Sequence, residues 1–172
     1  MNQKAYFKRV KDYLEALVED TDEIAEFVGT SESELMTKLQ TITDASKPLL
    51  IFFGYEGNLE GQKQRTFGPR TISFSIVYPI TDQNNYALQY QRINDAESIG
   101  LEVLARINYD STLEGAVDWL YNSFEKDSCK FHEITYKTPI GLVGHEFFFD
   151  LKFNNALTPT PSFWKDRDFC NS

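Results

Sequence analysis

The stretch Thr71-Ile72-Ser73-Phe74-Ser75-Ile76-Val77-Tyr78-Pro79-Ile80 alternates apolar with small polar residues, and it constrains the fold more than any other segment. Successive side chains of a strand point to opposite sides, so Ile72, Phe74, Ile76, Tyr78 and Ile80 share one face. Thr71, Ser73 and Ser75 oppose them, which predicts a half-buried strand in an antiparallel sheet. A polar turn covers 81–85. Tyr86, Tyr90, Ile93, Ala96, Gly100, Val103 and Ile107 then recur at helical spacing. The small residues Ala96 and Gly100 predict close approach of this helix to the sheet, because an interior glycine costs about 1 kcal/mol unless packing offsets it. The helix starts either at Tyr86 or near Asp95. A strand and a helix with one apolar face each form the smallest unit that closes a core.

The other segments extend that unit. Residues 3–19 carry Tyr6, Val10, Tyr13, Leu14 and Leu17 on one helical face. Ile24, Phe27 and Val28 read as a short helical turn ended by Gly29, and Ser31 with Glu34 has capping-box spacing for a further helix to Ile42. Pro48 to Phe53 is a continuous apolar run, the pattern of a strand buried on both faces. The Gly-rich connection 54–70 predicts a protruding hairpin carrying Lys63, Arg65 and Arg70, and connections this long are often contact elements. Residues 111–124 read as a helix or a covering segment. Two strands, 130–136 and 145–153, make a second hairpin turning at Pro139 and Gly141. Behind the expected single domain 1–153 (N-terminal helices 1–45, sheet and helix core 48–153) comes a Pro-rich extended arm, 154–172. Its Thr158-Pro159-Thr160-Pro161 spacer precedes Phe163, Trp164 and Phe169. The arm is either a tail folded on its own domain or an aromatic anchor for a neighbouring subunit. The expected fold class is α+β: a mainly antiparallel sheet of about four strands with a long hairpin, one amphipathic helix across it, extra N-terminal helices and a C-terminal arm.

Composition narrows the function. At 172 residues the chain suits one domain with a real core. A net charge of −9, with no basic run longer than a pair, disfavours sequence-independent grip on nucleic acid. Aromatics reach 15 %, which serves a Phe-rich core and also suits interfaces. Two cysteines, Cys129 and Cys170, are too few for a disulfide scaffold. No segment approaches the ~20 apolar residues of a membrane span, and the start lacks an apolar leader. The expected location is therefore the cytoplasm or a larger particle built there.

Motifs for chemistry fail on spacing. Cys129-x2-His132, with His145 and Cys170, has ligand residue types, but strand positions three apart face opposite sides. The acidic run Glu19, Asp20, Asp22, Glu23, Glu26 lacks the central Gly and closing Glu of a calcium loop, and reads as a solvated face. Gly61-Gln62-Lys63 lacks the earlier Gly and the following Ser or Thr of a phosphate loop. His132 and His145 read as polar-edge strand histidines, and Glu146 and Asp150 as solvent-face carboxylates. With no catalytic, cofactor-binding or metal set, the expectation is a non-enzyme that works by contact. Its interface candidates are Lys63, Arg65, Arg70, Phe163, Trp164 and Phe169.

The strand 71–80, the helix end Ile99-Gly100-Leu101-Glu102-Val103-Leu104-Ala105-Arg106-Ile107-Asn108-Tyr109-Asp110, and the closing Gly141-Leu142-Val143-Gly144-His145-Glu146-Phe147-Phe148-Phe149-Asp150-Leu151-Lys152-Phe153 together resemble tail-terminator or tail-completion (neck) proteins of tailed bacteriophages. The resemblance covers 45–153 by pattern; the helices at 21–45, the segment 111–127 and the arm depart from it. It implies a homo-oligomeric ring, commonly of six or twelve copies, stacked between portal, connector or tail proteins in the virion after assembly in the host cytoplasm. DNA would pass through the channel without specific binding, no cofactor would be needed, and hairpin and arm would bridge subunits. The competing class is a small acidic binding protein of immunity or inhibitor type that masks a basic partner.

Overall fold

The structure, a computed structural model, describes residues 5–42, 45–58, 60–62, 65–80, 82–136 and 141–155, with the side chains of 60–62, 65–67 and 154–155 left out. Along the chain run α1 (Phe7–Glu19), β1 (Glu26–Val28), α2 (Glu32–Thr41), β2 (Leu49–Gly57), β3 (Glu60–Gln62), β4 (Arg65–Ile80), α3 (Tyr86–Thr112), β5 (Phe124–Tyr136) and β6 (Gly141–Asn155). The strands form one sheet in the order β1-β2-β4-β6-β5, with β3 paired to β4 as an extension of the hairpin. Only β1 and β2 run parallel among the described pairs. The α+β expectation holds, with five strands in the path rather than four and one parallel pair at the edge.

Two apolar clusters sit on opposite sides of the sheet. On one side α1 (Val10, Leu14, Leu17) and α3 (Ala96, Val103, Ile107) cover Phe52, Phe74, Ile76, Phe147 and Phe149. The alternate residues of the same strands, Leu49, Ile51, Val77 and Leu142, pack with Leu39 of α2. Strand β4 is therefore an inner strand buried on both faces from Phe74 onward, with Ser75 and Val77 fully covered. The half-burial expected for 71–80 fails because α2 covers the far side. Leu49 to Phe52 is buried on both faces as expected, whereas Phe53, displaced by a bulge between Phe52 and Gly54, is 42 % exposed.

The short helical turn expected at 24–28 is strand β1 instead. Phe27 and Val28 enter different clusters, and Ala25 N–H donates to the Pro48 carbonyl at 2.8 Å, so pairing to β2 overrides local preference. The expected helix starts after Ser31, but the capping box is not made: Glu34 accepts from Gly29 N–H at 3.0 Å rather than from Ser31, and Ser31 Oγ meets Ser33 Oγ.

Helix α3 runs unbroken from Tyr86, which excludes a start near Asp95. A Cβ added to Gly100 would lie 2.0 Å from the tip of the buried Phe147 ring, so this glycine is where helix meets sheet. Tyr86 and Tyr90 leave the core, 64 % and 73 % exposed, because the first two turns of α3 do not lie over the sheet's apolar rows. Segment 113–123 is a chain of turns, and it covers the core with Leu120 and Trp119. Strand β6 ends at Asn155, two residues beyond the expected domain end; the arm from 156 lies outside the described residues. No helix among the described residues is long and apolar enough to cross a membrane.

Candidate interaction surfaces

The hairpin of β2, β3 and β4 is held at its base by Arg70. Its guanidinium donates to the carbonyls of Asn58 (3.2 Å) and Pro69 (3.1 Å), sits 5.8 Å from the Tyr55 ring centre, and packs where Gly57 has no Cβ. Asn58 N–H donates in turn to the Pro69 carbonyl at 3.1 Å. Arg70 thus braces its own hairpin. Arg65 opens β4 opposite Gln62, its side chain undescribed, and Lys63, Phe163, Trp164 and Phe169 lie outside the described residues. Glu60–Gln62 pair with Arg65–Phe67 past Gly68↔Phe153, the last pair with a described core side chain, and β6 flanks this stretch as far as Thr66↔Asn155.

A second surface lies on the flank of α3 that faces β5. Tyr86, Tyr90, Glu97 and Leu101 fall on that flank by helical geometry. The sequence reading missed it because Tyr86 and Tyr90 fit the core stripe and Leu101 falls between faces. Across from it, Phe131 is 44 % exposed and rests on Phe147 and His145. His145 is buried under α3 rather than at a polar edge. Its Nδ1–H donates to the Ile93 carbonyl at 3.1 Å, and its Nε2 lies 3.8 Å from Glu97. His132 points to the opposite side, near Glu146 at 3.7 Å, so the two histidines do not converge.

The carboxylates of β6 are used across strands. Ser73 Oγ–H donates to Glu146 at 2.7 Å and Thr71 Oγ1–H to Asp150 at 2.6 Å, cross-strand pairs that brace β4 against β6. Burial pushes the Cys129 thiol upward, with Asp150 and Asp127 adding to the effect, which disfavours the thiolate a nucleophile needs.

A third surface is a groove of about 430 Å³ between the end of α1, the connection to β1, and the middle of α3. Leu17, Ile24, Ile99 and Val103 form its floor, and Asp20, Glu23 and Glu102 its rim. Arg106 also borders it, but its guanidinium is committed to the buried Asp110, with Nε donating to both carboxylate oxygens at 2.9 and 3.0 Å. Tyr13 O–H donates to the same carboxylate at 2.8 Å, tying α1 to α3. Burial, then the hydrogen bond to Asp110, pushes the Tyr13 phenol far above its ordinary range. The groove was missed because its acids looked like a solvated helix face while its floor comes from a helix eighty residues away in sequence. No protein-family model matches the chain, and no curated protein is similar to it.

Proposed function

We propose that the protein is a structural subunit that works by self-assembly: a ring component of the tail-terminator or connector type, placed between portal and tail in a virion. The observation that carries this reading is the hairpin of β2, β3 and β4, whose pairing continues past Gly68↔Phe153, the last pair with a described core side chain. β4 is 16 residues long, about 53 Å at ~3.3 Å per residue, whereas the longer covering helix, α3, spans about 40 Å at ~1.5 Å per residue. A rigid ribbon longer than its cover presents a contact surface that a neighbouring copy can take. Heterologous contacts of this kind close into rings when the rotation fits. The net charge of −9 suits a channel through which DNA slides without sticking.

The test is light scattering behind size exclusion over a wide concentration range, with negative-stain imaging of any large species. A closed ring supports the proposal. A monomer that instead forms a stable 1:1 complex with a basic protein would refute it in favour of an inhibitor-type acidic binding protein.

A further inference from the structure

We infer that the groove between the end of α1 and the middle of α3 docks an amphipathic segment of a different protein, one that sets aliphatic side chains between lysines or arginines. The inference goes beyond the ring reading and stands without it, since the groove is complete within one chain. Leu17, Ile24 and Val103 close its floor, and Ile99 stands half-buried beside them. At about 430 Å³ it matches the clefts that take ligands rather than single waters. Its α3 wall runs from Ser98 to Arg106, about 12 Å at ~1.5 Å per residue, the length of about two helical turns.

Charge selects the occupant. The rim carries Asp20 and Glu23 on one wall and Glu102 on the other, all exposed residues. None of these carboxylates joins an ion pair among the described residues. The cation on the rim, Arg106, gives its Nε to both oxygens of the buried Asp110. Thr21 and Ser98 complete the polar lining without charge. An apolar floor between unpaired carboxylates attracts aliphatic groups flanked by cations and repels the same groups flanked by acids. A second copy is a poor source of such a segment. The chain carries −9, and Lys8, Lys11, Lys38, Arg106 and Lys152 are each paired with a carboxylate of their own chain. The occupant therefore belongs to a protein with surplus base, laid along the groove as a helix whose anchors recur three or four residues apart.

A displayed library of random peptides of about twelve residues, ~18 Å when helical, tests this with no partner in hand. The library is selected on the full-length protein, and the enriched peptides are titrated by fluorescence anisotropy. They should carry Leu, Ile or Val three or four residues apart beside Lys or Arg. Glu23→Lys with Glu102→Lys reverses the rim, and Ser98→Trp fills the groove from an exposed position; each should weaken binding about tenfold or more. Glu114→Lys with Asp118→Lys makes the same change in net charge on exposed residues of the segment 113–123, and should leave affinity within about twofold. Near-UV circular dichroism checks folding, and the neutral pair Glu23→Gln with Glu102→Gln replaces the Lys pair if that fails to fold. A library that yields no peptide, or peptides without bases, would overturn the inference. So would binding that survives Ser98→Trp, or that falls as far with the charge changes at Glu114 and Asp118 as with those on the rim. Light scattering of the protein alone reports on the ring separately, so each reading can fail while the other stands.

Discussion

Gly100→Ala offers a sharp check on the helix–sheet contact at the centre of the molecule. In an isolated helix this change stabilises by about 1 kcal/mol, because alanine has the better propensity. Here the new methyl would stand 2.0, 2.1 and 2.8 Å from Cζ, Cε2 and Cε1 of Phe147, against about 3.5–4.0 Å for carbon atoms in contact. The ring has little room to yield. It is fully buried, 5.1 Å from Phe74 and 5.7 Å from Phe131 between centres. Overpacking of this kind costs about 1–3 kcal/mol or more, and an overlap of about 1.5 Å falls at the upper end. Subtracting the propensity gain leaves a net loss of about 2 kcal/mol. Urea unfolding followed by far-UV circular dichroism should move the midpoint down without changing the slope. Phe147→Leu removes the ring atoms in question, so the double variant should lose less than the sum of the singles by about 1 kcal/mol. A Gly100→Ala protein as stable as wild type, or more so, would refute the close approach of α3 to β6.

Gly144→Ala should be worse. The added carbon would lie 1.9 Å from the Ile76 carbonyl oxygen, a backbone atom in an inner strand, so the unfolding free energy from urea titration should fall by about 3 kcal/mol or more. Stability should fall as pH rises above 10.0, because the unfolded Tyr13 ionises there while the folded one, buried and bonded to Asp110, keeps its proton; Tyr13→Phe should flatten that alkaline loss in pH-dependent melts. Asp110→Ala should cost about 2 kcal/mol in urea titration, since it strands the Tyr13 hydroxyl while the half-exposed Arg106 can turn to water. Arg70→Ala should cost only about 0.5–1 kcal/mol globally yet raise hydrogen exchange at 57–70, where the guanidinium joins Asn58 and Tyr55.

The strand 71–80, the helix from Tyr86 and the final hairpin were legible because each carries its own periodicity. What escaped depended on partners remote in sequence. Three residues of β1 have no period of their own, and only Leu49–Ile51 beside them make a strand. Ser73 and Ser75 look like a solvent row until β6 and β5 pair alongside, where Ser73 donates to Glu146 and Ser75 is buried beside Tyr136. Tyr86 and Tyr90 obey the helical rule, yet periodicity does not say where the sheet beneath a helix stops. His145 looked like an edge residue because the α3 carbonyl and carboxylate that surround it are fifty residues upstream. Among the interface candidates, Arg70 alone has a described side chain, and its hairpin-bracing role was invisible without the register of Gly57 against it.

The position of β6 has a consequence for how the protein comes to be made. It is the last of the described strands, yet it lies between β4 and β5 and pairs residue 66 with 155 and residue 80 with 141. Until it emerges from the ribosome, Phe74, Ile76 and Tyr78 have no neighbour on one side, and α3 has no Phe147 beneath it. Native structure in this sheet therefore waits for β6, and the long separation between paired residues such as 66 and 155 makes that pairing slow. A translating chain would carry an open, apolar sheet edge until that moment, the state that chaperones hold and that aggregates when production outruns them.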